Sequence, residues 1–410
     1  MRAVIEKQPA MGVALSGTVD RPMWARLREI DLMRVVEFVK TRDVRRILEE
    51  GHQVGFTWGG LPLWRVKVIS SAEDEREGEI EVAFFVHHAL GDGRSGFAFH
   101  LDFVDALNNL AAIDNDTQKE TSTLVKVPKL DFLPPLEDAH TLPLSYRFIA
   151  TQLIKSLLPA SKDNQHWTGS PHRSDRNITN FRLLYLPSSI LNNLLRQCRH
   201  RNVTFTALLT VTIARVLARV YTQYTRFSCS CAMSFRRFTA TGRRAMCNYV
   251  TSYTHRFSSV SSQGGCIPCD TFSWDAVQTC FKEIKSATAS PANQQVGLLK
   301  FVNNYEGFFK DKVGRERPHS FEISNVGVFE PERPLGRDDG EVKVDRILFS
   351  QSSNVVSGAL VFSVASAKEG ELGIGLTWQE DIVKVDDAEK VLGGIDGELR
   401  KLAAESGDNV

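Results

Sequence analysis

The run His87-His88-Ala89-Leu90-Gly91-Asp92-Gly93 constrains the fold more than any other feature, because the hydrophobic period changes across it. Before it, Ile80, Val82, Phe84 and Val86 share one face of a predicted strand, and Glu79, Glu81, Ala83 and Phe85 share the other. Carried two residues further, the same period predicts His88 on the buried row and His87 opposite. After it, Phe97, Leu101, Val104 and Leu110, with Leu107 nearby, recur at helical spacing. Residues 91–95 therefore read as a short strand-to-helix loop. A buried imidazole aimed at such a loop can serve as a general base.

The chain around this motif has 410 residues, more than one hydrophobic core usually holds, so two domains are expected, 1–165 and 166–410. Leu124–Pro143, rich in proline and charge, is the expected crossover. Pro62–Ile69 reads as a strand, joined by an acidic turn at 73–78 to the strand that carries the histidines. Leu32–Glu49 and Ser145–Leu158 are predicted helices, and Thr204–Val220 is the clearest helix of the chain. Strands are predicted at Asn180–Leu186, Phe227–Phe235, Phe321–Val328, Ala359–Ala365 and Gly373–Trp378. Strands interleaved with helices in both parts mean an α/β fold.

Composition narrows the function classes. A net charge of +1 gives no electrostatic reason to expect nucleic acid or an anionic membrane as partner. No apolar run is long enough to span a bilayer, and the N-terminus lacks the apolar core of a secretory signal. The seven cysteines are odd in number and argue for reduced thiols in a cytoplasmic protein. Asn115, Asn177 and Asn202 each open an N-x-[ST] triplet, which without a secretory route is a chance match.

Two chemical readings of the motif compete with a plain core histidine followed by an Asp-Gly turn. In the first, His88 is a base and Asp92 anchors the loop by pairing with an arginine, since a buried carboxylate without a partner is costly. Arg236, or failing that Arg237, at the end of the Phe227–Phe235 strand is the cation expected for it. A second reading makes His87, His88, Asp92 and His100 metal ligands. Adjacent His87 and His88 point to opposite strand faces and cannot easily chelate one ion, so no metal is expected. Elsewhere, Cys266-Ile267-Pro268-Cys269 is a lone CxxC with no second pair, which reads as two free loop thiols. Ser324-Asn325-Val326-Gly327 brings small polar side chains into a strand, where they could donate to an oxyanion or merely mark a bulge. GxGxxG, GxxxxGK[ST] and GxSxG are all absent, so nucleotide binding and serine hydrolysis have no support.

Taken in order, these segments resemble the CoA-dependent acyltransferase superfamily, which includes chloramphenicol acetyltransferases, plant BAHD enzymes and the condensation domains of peptide synthetases. The likeness is to its fungal alcohol acetyltransferase-like family. It runs through Pro62-Leu63-Trp64-Arg65, His87–Gly96, Leu133-Pro134-Pro135-Leu136, Trp167–Pro171, the Thr204–Val220 helix, Ser234–Arg237, Ser324–Gly327, Gln351-Ser352-Ser353 and Leu372–Trp378. The resemblance implies two chloramphenicol acetyltransferase-like subdomains, each a mixed sheet with helices, meeting at a tunnel. It implies His88 as general base, Asp92 as a structural partner, Gly93 for the turn, and Ser324 or Asn325 for the oxyanion. Acetyl-CoA or another acyl-CoA would be the co-substrate, with no tightly bound cofactor. A small-molecule alcohol or secondary-metabolite hydroxyl would be the acceptor, and the protein is expected to be a monomer. The BAHD-type DFGWG motif is absent. Members usually open with a further helix and strand, and this chain is expected to lack that first segment. Two alternatives stay open: a condensation- or cyclase-like member fed by a carrier-protein thioester, and a binding homologue without turnover.

Overall fold

The computed structural model describes residues 1–18, 21–70, 79–111, 122–157, 163–172, 177–259, 267, 271–331 and 342–405. The acidic turn at 73–78, the Asn115 triplet and the pair Cys266 and Cys269 lie outside the described residues. The chain divides into two compact units. The first is Met1–Ala139 with Thr239–Tyr249 and Phe329–Asp345, and the second is His140–Phe238 with Val250–Val328 and Arg346–Val410.

The first unit opens with α1 (Arg2–Lys7), the antiparallel pair β1 (Val13–Thr18) and β2 (Arg21–Arg26), and β3 (Glu29–Asp31). It continues with β4 (Val36–Lys40), α2 (Val44–Gln53), β5 (Trp64–Ser70), β6 (Ile80–Val86) and α3 (Gly93–Ala111). β7 (Leu124–Lys126), which pairs with β3, and α4 (Leu136–Ala139) complete its elements. Its main sheet is mixed: β4 runs parallel to β5, and β5 antiparallel to β6. Val4 and Ile5 of α1, Trp64 and Val66 of β5, and Ala98 and Phe99 of α3 form one buried cluster. Phe84 of β6 stacks on Phe99 at 3.9 Å between ring centroids.

Two expectations fail in this unit. The helix expected at Leu32–Glu49 is a short 3-10 turn, then β4, and only from Val44 a helix, capped by Asp43 accepting from Arg46 N at 2.9 Å. Val36 and Val39, β-branched residues that favour extended backbone, lie in β4, whose pairing with β5 comes from residues far along the chain. The alternation of β6 is also not a simple inside-outside pattern. Phe85 is buried on the face opposite Phe84, against α2, where a Cβ on Gly51 would lie 2.0 Å from the Phe85 ring. Only glycine at 51 lets the helix approach so closely.

The second unit contains α5 (Tyr146–Leu157), β8 (Thr179–Leu186), α6 (Ser188–His200), α7 (Phe205–Val220), β9 (Arg226–Ser234), β10 (Val250–Ser258) and α8 (Trp274–Ala287). α9 (Tyr305–Lys310), β11 (Phe321–Phe329), β12 (Leu360–Ala367), β13 (Leu372–Gln379) and α10 (Val385–Ala404) follow. Its sheet has the order β10-β9-β11-β12-β13-β8 and is also mixed, with β11 parallel to β9 and β13 antiparallel to both its neighbours. Every residue of β12 and β13 is buried, so these strands, apolar but for Ser363, Ser366, Thr377 and Gln379, show no inside-outside alternation. Thr204 caps α7 by accepting from Ala207 N at 3.3 Å, and most of that helix is buried. Glu398 of α10 accepts from Arg215 Nε at 3.2 Å and from Arg219 Nη1 at 2.6 Å, tying α10 to α7. Among the described residues no single helix is long and apolar enough to cross a membrane.

Candidate active site

β6 makes its last register pair at Val86, opposite Trp64. His87 N still donates to Leu63 O at 2.9 Å, and Leu90 N then closes on His87 O at 2.9 Å. The chain therefore turns at 88–90 before the alternation reaches the second histidine. This corrects the expected burial: His88 is exposed, as is His87, and the buried residues of the loop are Leu90, Gly91 and Asp92. Period two holds only while the backbone is extended, and here it stops one residue before the motif.

The two histidines nevertheless differ in surroundings. His87 Nδ1 accepts from Ala89 N at 3.1 Å, and its ring meets Phe56 edge-on at 5.9 Å. Desolvation lowers the His87 imidazole below its ordinary value, and the charge of His88 adds to this. His88 is gripped from a distant part of the chain. Asn248 Nδ2 lies 2.9 Å from His88 O and 3.1 Å from His88 Nδ1.

Asp92 immediately precedes α3 and caps it, with Oδ1 accepting from Ser95 N at 3.2 Å. A carboxylate at a helix N-terminus is further stabilised by the helix dipole. Its Oδ2 accepts from Tyr249 N at 3.3 Å, and its own N donates to Cys247 O at 3.1 Å. Ser95 Oγ completes the seam, donating to Cys247 O at 3.0 Å and accepting from Cys247 N at 3.1 Å. The loop is thus laced to segment 247–249 through main chain and side chain together. Gly91 belongs to this packing: a Cβ there would lie 2.5 Å from Ser95 Cβ. Gly93 is the first residue of α3.

Sequence reading missed Ser95, Cys247, Asn248 and Tyr249. The Asp92-x-x-Ser95 spacing at a helix start is a capping signal that could have flagged the first. Nothing in the pattern around 247–249 marks those residues as neighbours of a loop 160 positions earlier.

Three further residues expected at the site fall in the second unit. Arg236, buried, begins the short 3-10 turn that follows β9. Ser324 and Asn325 are adjacent on β11 and point to opposite faces of the sheet, as period two requires. Asn325 lines an open pocket of about 240 Å³, with Thr206, Thr251, Phe235, Arg237 and Phe238 also on its wall. Its Nδ2 donates to Thr206 Oγ1 at 3.0 Å and its Oδ1 accepts from Gly327 N at 2.9 Å, leaving one amide hydrogen uncommitted. Thr251 Oγ1 is buried with no hydrogen-bond partner among the described residues. Arg237 stacks over the Phe238 ring at 4.6 Å. Ser324 is not among the lining residues, so of the two oxyanion candidates only Asn325 faces this space.

The chain is similar to known proteins over nearly its whole length. The alcohol acetyltransferase family model matches residues 53–394. A probable alcohol acetyltransferase of Aspergillus fumigatus is 26% identical over 398 residues, covering 91% of this chain and 83% of that protein. A second, from Fusarium pseudograminearum, is 26% identical over 406 residues, covering 95% and 82%. Among solved structures, the trichothecene 15-O-acetyltransferase TRI3 of Fusarium sporotrichioides superposes with a TM-score of 0.69 at 16% identity, covering 98% of this chain and 84% of that one. The epimerization domain from the third module of tyrocidine synthetase B gives 0.59 at 12% identity, covering 99% and 88%. At these identities the structures speak for the fold: both units, with their mixed sheets, belong to the condensation-domain-like acyltransferase architecture.

Proposed function

The chain belongs to the alcohol acetyltransferase family and is therefore an acyltransferase, and from that premise we propose that it moves an acetyl group from acetyl-CoA to an alcohol or secondary-metabolite hydroxyl, with His88 as general base. The observation that carries this reading is the laced loop. Asp92, Ser95 and Asn248 fix a strand-to-helix turn that presents one imidazole, a geometry suited to proton transfer.

In the proposed reaction His88 takes the proton of the acceptor hydroxyl at Nε2. The alkoxide oxygen bonds to the thioester carbonyl carbon, and the carbonyl oxygen becomes an oxyanion. Collapse of that intermediate breaks the carbon–sulfur bond, and the imidazolium returns its proton to the departing thiolate. The products are an ester and free CoA, and no acyl-enzyme forms. Of the two oxyanion candidates Asn325 is preferred over Ser324, because it lines the second unit's pocket and keeps one amide hydrogen uncommitted among the described residues. The wall of the second unit's pocket combines phenyl rings with hydroxyls and no carboxylate, which suits an apolar ligand carrying oxygen functions.

The test is CoA release and product mass, with acetyl-CoA and a panel of small alcohols. Wild-type protein should release CoA, and His88→Ala should lower the rate by roughly 10²–10⁴. Undiminished transfer by His88→Ala would remove His88 from the mechanism. Turnover only with a pantetheine-loaded carrier protein would replace the donor, and no turnover with either donor would make the chain a binding homologue.

A further inference from the structure

Asn248 lies outside every motif in the sequence, yet it makes two contacts to His88. A carbonyl oxygen only accepts, so the 2.9 Å approach of Nδ2 to His88 O fixes the carboxamide with its nitrogen toward the histidine. This orientation leaves Asn248 Oδ1 buried without a hydrogen-bond partner among the described residues. An amide oxygen stranded in this way means that the two bonds made by the nitrogen decide how the side chain sits.

We propose that Asn248 is the positioning residue that sets the tautomer of His88, an inference that rests on His88 being the proton carrier. Neutral imidazole has one N–H and one lone pair. The second amide hydrogen of Asn248 faces Nδ1 at 3.1 Å, so Nδ1 is the acceptor and the ring proton sits on Nε2. In that tautomer Nε2 can donate a proton but cannot receive one. Taking the acceptor's proton at Nε2 requires the other tautomer, in which Nδ1–H would face a second donor on Asn248. Turning the carboxamide over resolves the conflict. Oδ1, the atom now stranded, then accepts from Nδ1–H, and the bond to the His88 carbonyl is given up in exchange. Asn248 is a two-position latch: nitrogen toward the ring holds the donor tautomer, and oxygen toward it holds the base tautomer.

The experiment uses full-length protein with histidines labelled with ¹⁵N in the ring, the His88 signals being assigned by their loss in His88→Gln. At about pH 8.5, where an ordinary imidazole is neutral, wild type should show a protonated Nε2 and an unprotonated Nδ1. Asn248→Ala removes the bias and should give a mixture. Asn248→Asp, of the same shape, only accepts and should move the proton to Nδ1. In turnover, Asn248→Ala should lower kcat roughly tenfold to a hundredfold with KM for acetyl-CoA nearly unchanged, and Asn248→Asp should retain more kcat than Asn248→Ala. Identical ring-nitrogen patterns in wild type and Asn248→Ala would overturn the proposal, as would a proton remaining on Nε2 in Asn248→Asp. If Asn248→Ala does not fold, the isosteric Asp variant alone decides. The ring-nitrogen readout needs no turnover, so an inactive protein with the expected tautomers would count against the base role of His88 and leave the latch standing.

Discussion

Asp92 holds its loop through its backbone N–H and both carboxylate oxygens, which reach Cys247 O, Ser95 N and Tyr249 N. Asp92→Ala should cost about 2 kcal/mol of stability, the usual worth of a lost helix cap together with one further hydrogen bond. A urea titration of the folded protein measures it. Residue types singled out the motif, and its place in an ordered set of segments raised it above a plain core histidine with an Asp-Gly turn. They misjudged the burial of His88, since a strand period says nothing about where the strand stops. They were silent on Asn248, whose importance is a property of the folded chain.

Elements were legible where one face of a segment decided its fate. Thr204–Val220, Asn180–Leu186 and the strands around Phe321, Leu360 and Leu372 lie within a residue or two of their expected limits. β4 was hidden because its stability comes from parallel pairing with β5, and α6, α8 and α10 were not read from the sequence. The contacts that fix elements against one another were equally hidden. Asp102 of α3, only 3% exposed, accepts from Gln8 Nε2 at 2.7 Å, from Arg244 Nη1 at 3.2 Å and from Lys7 Nζ at 3.4 Å. Gln8 also donates to Arg244 O at 2.7 Å, so one buried cluster joins the end of α1, the middle of α3 and the returning segment 239–249. Asp102→Ala leaves a half-buried guanidinium without one of its carboxylates and should destabilise the protein by about 3 kcal/mol. Asp102→Asn, which keeps an acceptor for Gln8, should cost less, and comparing the two urea midpoints checks this order.

Across the molecule, burial leaves several imidazoles neutral. His52, His100, His172 and His319 are each lowered to about 4 from an ordinary 6.5, chiefly by desolvation, and His87, His166 and His255 are lowered in the same direction. Between about 4 and 6.5 the unfolded chain binds protons at these sites and the folded chain does not, so stability falls as pH falls through that window. Glu322 acts oppositely. Burial pushes its carboxyl up to about 7, so it favours the fold at low pH and loses that contribution as pH rises from 4.5 through 7. One carboxyl is outweighed by four imidazoles, so the melting temperature should drop as pH is lowered below about 6.5. His172→Gln should make that slope shallower, and a flat profile in the wild type would contradict the assignment. The α/β class, the mixed sheets and the family were all legible at this scale, because the ordered motifs sample the whole length of the chain.

The first unit is assembled from three stretches of chain, and the stretch carrying Arg244, Cys247, Asn248 and Tyr249 is made long after the histidine loop it secures. During synthesis on the ribosome, the loop must wait for about 150 further residues to emerge before its seam can close. Until then β5, β6 and α3 present the same chemistry with nothing to hold it. The imidazole is therefore written early in the message, and its loop is secured late in the birth of the protein.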